Sequence, residues 1–420
     1  MTSGTLLTLF LCFFIIEFIV HWVLDLLNAK YVRLIKNIPE FFKHDISEDA
    51  FQKSRRYTQT KLHFNKFQLL FSTTTTIFIL FSGVLPRLHH FLAQSITSTI
   101  FQGVCFFFIL FTSLGILRFP LGLYETFQIE AKFGFNKTTL KLYLIDMIKT
   151  IFLTSLLGIP FLIAIFWFMN CSGQYWWVWV FLFLTCFQMI LLIIYPVLLA
   201  PLFNKFTPLE EGILKDTLLK LTRKNNFPSR GIFVMDGSKR SSHSNAYFTG
   251  FGKLRRIVLF DTLISQMSVD EMKNILCHEI GHYKMGHIYK SLIFNFIITG
   301  IGLYILSLLI DWPPLFQAFG FEARPSELKH VGLFLFSFMA STFTFLLAPL
   351  LNYRSRQHEF QADRYAVKHA EKPTAMASAL MKLAEKNLSN LTPHPWYSAF
   401  HYSHPSLHER IQAIYKQFNK

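Results

Sequence analysis

Read for the alternation of apolar and polar positions, the chain falls into long apolar runs separated by mixed stretches. Seven runs reach the roughly 18 residues needed to cross a bilayer. They lie near 5–27, 67–85, 100–117, 151–169, 176–198, 292–309 and 331–351. The first has no basic start and no small-residue cleavage site, so it reads as a retained span and not a signal peptide. It carries Glu17, His21 and Asp25, four apart on one helix face. Three ionisable groups in a row are costly against lipid, so this face is expected to look at water or polar partners. The aromatic stretch 120–137 reads as a cytoplasmic connector. After the fifth run, Thr207, Pro208 and Glu210 have the cap, N1 and N3 pattern of a helix start. Short β-rich pieces follow at 232–235, 245–251 and 257–260. Ser268 and Glu271 then form a capping box, and the helix they open is amphipathic. It sets Met272, Ile275, Leu276 and Ile280 against Asp270, Lys273 and Asn274, which suits the edge of a soluble domain better than a lipid-facing span. Beyond the seventh run, 354–366 has helical composition, with Glu359 and Asp363 one turn apart. A second capping box, Ser406 and Glu409, puts His404 in the loop before the last helix.

Composition agrees with a membrane protein. Of 420 residues, 52% are hydrophobic and only 16% charged, with 49 phenylalanines, too apolar for an ordinary soluble chain. The net charge of +16 is unevenly placed. The loop after the first run carries Lys30, Arg33, Lys36, Lys43, Lys53, Arg55, Arg56 and Lys61, and the loop after the third carries Arg118, Lys132, Lys137, Lys141 and Lys149. The turn 170–175 has no basic residue. Basic and basic-poor loops thus alternate, which predicts an outer N-terminus and a cytoplasmic 269–284 helix and C-terminus. Topology accounts for the charge, so nucleic acid is not expected as a partner. The five cysteines include no C-x-x-C pair, so neither a disulfide framework nor a cysteine zinc site is indicated. Cys277 reads as a small buried hydrophobe.

The candidate chemistry lies on the amphipathic helix. His278 and His282 stand at i and i+4 on one face, where two imidazoles can bind one Zn²⁺. Glu279 beside them can take a proton from a water at the metal. A hydrolytic zinc site wants a third protein ligand, and His287, Glu359, Asp363, Glu371 and His404 are available downstream. If the helix continued, His287 would be turned about 140° away from His282. Glu371 precedes Pro373, where a helix should be ending. Glu359 and Asp363 share a face: the longer side chain suits the metal, and the shorter one can hold the free ring nitrogen of a histidine ligand.

Several segments occur in order: 133–137 (FGFNK), 200–208 (APLFNKFTP), 241–248 (SSHSNAYF), 257–263 (IVLFDTL), 278–282 (HEIGH), Glu359 through Asp363, and His404-Pro405 through Glu409-Arg410. Together they resemble the type-1 CAAX prenyl protease family over nearly the whole chain. One departure is Ser406, where the family commonly has a second proline. The resemblance implies a multi-pass α-helical membrane protein, with about seven transmembrane helices around a water-filled chamber and a mixed α+β zincin-like peptidase domain. It divides the chain into transmembrane helices 1–5 with their loops (1–202), a first peptidase part (203–287), helices 6–7 (288–352) and a second peptidase part (353–420). Carried over by position, His278, His282 and Glu359 are ligands to one Zn²⁺ per chain and Glu279 is the general base. Asp363 and His404 join the catalytic set, Asp363 supporting a ligand histidine and His404 lying near the developing oxyanion. Asn245, Ala246, Tyr247 and Arg410 fall in the substrate-binding set. The expected function is hydrolysis of peptide bonds near the C-terminus of prenylated CAAX-type or other membrane-associated substrates, by a monomer in the lipid bilayer. The membrane is the inner membrane in a bacterium and the endoplasmic reticulum in a eukaryote. A heat-shock-type quality-control protease shares the ligands but has fewer spans. An intramembrane site-2-type protease would bury the motif in an apolar run. A transporter or inactive scaffold would not need His278, Glu279, His282 and Glu359 intact.

Overall fold

The computed structural model describes residues 1–250, 255–370, 372 and 374–418. Among these, six helices are long and apolar enough to cross a membrane, or seven if one bent pair counts as a span. The first is α1 (Ser3–Leu34), opened by Thr2, whose hydroxyl accepts from Thr5 N–H at 3.2 Å. The bent pair is α2 (Glu48–Phe81) and α3 (Val84–Ser95), which meet at 51°. The expected run 67–85 therefore crosses a break. Gly83 sits there at φ +76°, a conformation that side chains with a Cβ rarely adopt. The other long helices before the sheet are α4 (Thr99–Tyr124), α5 (Leu140–Cys171) and α6 (Trp176–Ile194), and two more follow it.

The stretch 120–137, expected as a connector, is largely helical. The helix runs on through a π-helical turn (Glu125–Glu130) and Ala131–Phe133. The physical reason is its aromatic content: Phe133 and Phe135 bury with Phe64, Ile129 and Leu388 in a small core, which an extended loop would leave in water. Its end is tied to the segment before the candidate substrate strand. Phe135 stacks on His243 at 3.8 Å, Ser242 Oγ donates to Gly134 O at 2.9 Å, and Lys137 N–H donates to Arg240 O at 3.0 Å.

A four-stranded sheet follows, made of β1 (Phe206–Pro208), β2 (Ile232–Met235), β3 (Ala246–Thr249) and β4 (Arg256–Phe260), in the order β1-β2-β4-β3. β2 and β4 are parallel, and the outer strands pair antiparallel to them. The expected helix start at Thr207 is overturned. Phe206–Pro208 pairs with 233–235, Leu209 N–H donates to Ile232 O at 2.9 Å, and α7 (Ile213–Lys224) begins only after Gly212. Burial of Leu209 in the sheet core outweighs the local cap signal, and Pro208, which cannot donate, is tolerated because β1 is an edge strand. The expected strand 245–251 is shorter, and Phe251 lies outside the described residues.

After the sheet come α8 (Val269–Lys284), α9 (His287–Leu309), α10 (Lys329–Thr344), α11 (Ala348–His369), α12 (Thr374–Lys386), α13 (Pro395–His401) and α14 (Leu407–Phe418). Two large cores result. One joins Ile38, Phe42 and Phe51 to the sheet, α8, α12 and α14. The other joins α1, α3, α4, α5, α6, α9 and α10 through residues such as Phe10, Phe106, Phe166 and Val331. The polar face of α1 meets polar partners, one of the two settings expected of it. Glu17, His21 and Asp25 line a cavity of about 400 Å³ with Asn65, Thr76, Thr342 and His401.

Candidate active site

The site is built where α8 crosses α11. α8 starts at the expected capping box: Glu271 N–H donates to Ser268 Oγ at 3.4 Å and Ser268 N–H to Glu271 Oε2 at 2.8 Å. Glu271 also accepts from Ser378 at 2.6 Å and Lys382 at 2.9 Å, which pins α8 to α12. Burial alone would raise its carboxyl, but the bonds from Lys382, Ser378 and Ser268 prevail and bring it down to about 2. The other end of α8 lies against α11 through Gly281. A Cβ there would stand 3.0 Å from Ala362 Cα and 3.0 Å from Tyr365 Cβ. Glycine thus lets the two helices approach closely enough for side chains on both to share one point.

At that point His278 Nε2 and His282 Nε2 face each other at 3.1 Å. Glu359 Oε2 is 3.5 Å from the first and Glu359 Oε1 is 3.3 Å from the second. Ligand atoms about 2.0–2.1 Å from one tetrahedral zinc stand roughly 3.3 Å apart, so this triangle fits such an ion. A second observation agrees. Glu359 Oε2 is buried and accepts no hydrogen bond, an expensive state for a carboxylate oxygen that a cation would relieve.

Asp363, one turn beyond Glu359, is 1% exposed. Its Oδ1 takes the bond from His278 Nδ1 at 2.9 Å, leaving the lone pair of Nε2 for the ligand triangle. Arg410 holds Asp363 with Nε on Oδ2 at 2.9 Å and Nη2 on Oδ1 at 2.6 Å, and its Nη1 is 3.6 Å from Glu359 Oε2. Burial alone would lower the His278 pKa, but Asp363 and Glu359 outweigh it and raise it to about 9. Asp363 thus stands behind His278, the place expected of a residue that supports a ligand histidine. Arg410, expected as a supporting residue and counted with the substrate-binding set, has its fork on Asp363, because a buried carboxylate needs a charged partner.

Glu279 makes no hydrogen bond among the described residues, and burial raises its carboxyl above the ordinary range. His404 lies over the triangle, its Nε2 3.5 Å from Glu359 Oε1, with 65% of its side chain exposed. Its loop is held by Arg356, which donates to Tyr402 O at 2.7 Å and Ala399 O at 3.1 Å, and by the Ser406–Glu409 box, with Ser406 N–H on Glu409 Oε2 at 2.8 Å. Asn245, Ala246 and Tyr247 lie at and on β3, which among the described residues pairs on one side only. Asn245 O accepts from Phe260 N–H. By antiparallel alternation the backbone groups of Ala246 and Phe248 then face away from β4, and Asn245 Oδ1 covers the Ala246 N–H at 2.8 Å. Two cavities adjoin at His401. One of about 490 Å³, lined by Asn387, Asn390, His404 and Arg410, shares His401 with the cavity on the α1 face. Cys277 is fully buried in the core, as expected, and Glu371 lies outside the described residues.

His287 is the residue whose place the sequence reading missed. Gly286, at φ +66°, ends α8, and α9 begins at His287. The ring turns back to His282, with the two Nδ1 atoms 3.0 Å apart. The signal was the glycine itself, a common residue just past a helix end, which cancels the rotation a continuous helix would impose.

Residues 28–205 match the family described as CAAX prenyl protease N-terminal, five membrane helices, and residues 208–417 match peptidase family M48. The chain is similar to the CAAX prenyl protease 1 homolog of Oryza sativa, at 39% identity over 96% of both chains. It is similar to CAAX prenyl protease 1 of Saccharomyces cerevisiae, at 35% identity over 90% of this chain and 88% of that one. It also resembles the crystal structure of S. mikatae Ste24p, with TM-score 0.91 and 34% identity over 97% of this chain and 98% of that one.

Proposed function

Since this chain belongs to peptidase family M48, within the group of CAAX prenyl protease 1, we propose that it is a zinc endopeptidase acting on prenylated CAAX-type C-termini from the cytoplasmic face of the membrane. M48 peptidases are zinc metallopeptidases, and this one is an integral, multi-pass membrane protein. The observation that carries the reading is the triangle of His278, His282 and Glu359 with an unbonded Glu279 beside it. These three side chains hold the zinc in this reading. Bound zinc supplies Lewis acidity to the scissile carbonyl and makes a nearby water more acidic, towards a pKa of about 7.

The chain's own residues supply the rest. Glu279 accepts the proton of the attacking water and returns it to the departing amine, a task suited by a carboxylate whose basicity burial has raised. His404 is positioned to donate from its exposed ring to the oxygen that gains charge. The free edge of β3 aligns an extended peptide by strand addition, once Asn245 releases the Ala246 N–H. One chain carries all these groups, which supports action as a monomer. The basic loops support a cytoplasmic site, in a eukaryotic cell on the endoplasmic reticulum.

The test compares a farnesylated CAAX peptide with its unprenylated twin, using the full chain in liposomes. Cleavage of the prenylated peptide, lost on chelation and restored by zinc, is expected. Cleavage of unrelated membrane proteins with the farnesylated peptide left intact would remove the CAAX substrate and leave a quality-control protease.

A further inference from the structure

We infer that His287 and Gln361 form a hydrogen-bond relay that fixes the tautomer of His282 and presents its Nε2 lone pair to the metal. The inference rests on the zinc-ligand reading above. A neutral histidine that ligates through Nε2 carries its proton on Nδ1, and that N–H needs an acceptor. His278 has one in the Asp363 carboxylate. Among the described residues, the hydrogen-bond partner of His282 Nδ1 is another ring nitrogen, His287 Nδ1 at 3.0 Å.

A ring nitrogen accepts only where it holds no proton. His287 must therefore carry its proton on Nε2, and that nitrogen is 3.0 Å from Gln361 Oε1. An amide oxygen cannot donate, so the direction is set from the far end. Gln361 C=O accepts from His287 Nε2–H, His287 Nδ1 accepts from His282 Nδ1–H, and His282 Nε2 is left with its lone pair toward the triangle. With the amide NH₂ turned to His287 instead, every proton would shift one place, and one would occupy the ligand position of His282.

The surroundings hold this arrangement in place. His287 is 4% exposed. Its ring stacks on His358 at 4.0 Å and 8°, which fixes the plane in which both nitrogens point. Gln361 stands on α11 between Glu359 and Asp363, so one helical turn supplies a ligand and the outer support for both histidines. The two supports differ in charge: a carboxylate clamped by Arg410 behind His278, and a neutral imidazole and amide behind His282. His287 and Gln361 are thus positioning residues that act through His282.

The experiment measures zinc affinity of the purified full chain by competition with a chelator of known affinity. Loss of an outer partner of a metal-bound histidine costs about 10–100-fold in affinity, and that loss is expected for His287→Ala. Gln361→Leu, which removes the acceptor at similar size, should weaken zinc by about tenfold on the same precedent. Gln361→Glu keeps an acceptor and should hold zinc as well as the unaltered chain. His287→Gln, whose carbonyl can take the His282 proton, should recover most of the affinity lost in His287→Ala. Affinity unchanged in both His287→Ala and Gln361→Leu would overturn the relay. So would an equal loss in Gln361→Glu and Gln361→Leu, which would mark a packing role. If the unaltered chain holds no zinc, the active-site reading fails and takes the relay with it. If it holds one zinc that His287→Ala leaves undisturbed, the relay alone fails.

Discussion

At the scale of single residues, the proposed function separates side chains that would meet the substrate or metal from those that would aim them. Among the described residues the Glu279 side chain makes no hydrogen bond, so its removal should cost chemistry and little else. Glu279→Gln is expected to keep zinc and the fold while turnover of a CAAX peptide falls by about 10²–10⁴-fold, the range for a lost general base. Near-normal turnover with zinc bound would cancel that role. Glu359 and Asp363, one turn apart, should behave differently from each other. Glu359→Ala removes a ligand and should lose both stoichiometric zinc and activity. Asp363→Asn removes only the charged acceptor at His278 Nδ1 and should weaken zinc by about 10–100-fold with some activity left. Metal analysis of the two purified variants checks the order, and a reversed order would exchange their roles.

At the scale of elements, two junctions govern the site. The first is the free edge of β3. A proline in an edge strand is tolerated where its missing N–H would have faced away from the sheet. Ala246→Pro should therefore leave the fold intact and remove an outward donor. A fall of about tenfold in kcat/KM for peptide, the value of one hydrogen bond of about 1.4 kcal/mol, is expected without change in zinc content. Unchanged kinetics would mean the peptide does not lie along this strand. The second junction is Glu271, which joins α8 to Ser378 and Lys382 of α12. Its folded pKa of about 2 is below the ordinary value of 4.5. The group binds fewer protons when folded, so its stabilisation is complete above about pH 4.5 and is lost as pH falls toward 2. Glu271→Gln should lower the melting temperature at pH 7 by about 2–4 °C, and the gap should close as pH falls from about 4.5 to about 2. Melting curves in detergent follow this, and a gap constant with pH would assign the effect to packing.

At the scale of the whole molecule, the peptidase core and the membrane core are built from alternating parts of one chain. Residues before α2 pack with the sheet, while α9 and α10 return to the apolar core. The proposed topology, read from the basic loops, puts the peptidase side in the cytoplasm. In a variant freed of native cysteines, a cysteine at the exposed Lys224 should react with an impermeant thiol reagent only after sealed cells are opened. One at the exposed Gln174 should react from outside in intact cells. The opposite pattern would invert the topology.

The sequence alone determined the parts whose cause is local or periodic. Apolar run length found the membrane helices, because a bilayer imposes a minimum length. The capping boxes at Ser268 and Ser406 named two helix starts, because their hydrogen bonds lie within three residues. The i, i+4 spacing of His278 and His282 put two imidazoles on one face, because helix pitch does so wherever the helix forms. Tertiary structure decided what depends on partners far along the chain. Thr207 and Pro208 carry a helix signal, yet pairing with 233–235 makes them a strand. The stretch 120–137 becomes a helix and a docked loop because its phenylalanines find Phe64 and His243. The closeness of Glu359 to two histidines some eighty residues earlier depends on Gly281 letting α8 and α11 touch. His287 returns to His282 because the chain reverses at Gly286. Such contacts leave only indirect marks in the sequence, since the energy that fixes them belongs to surfaces buried between distant segments.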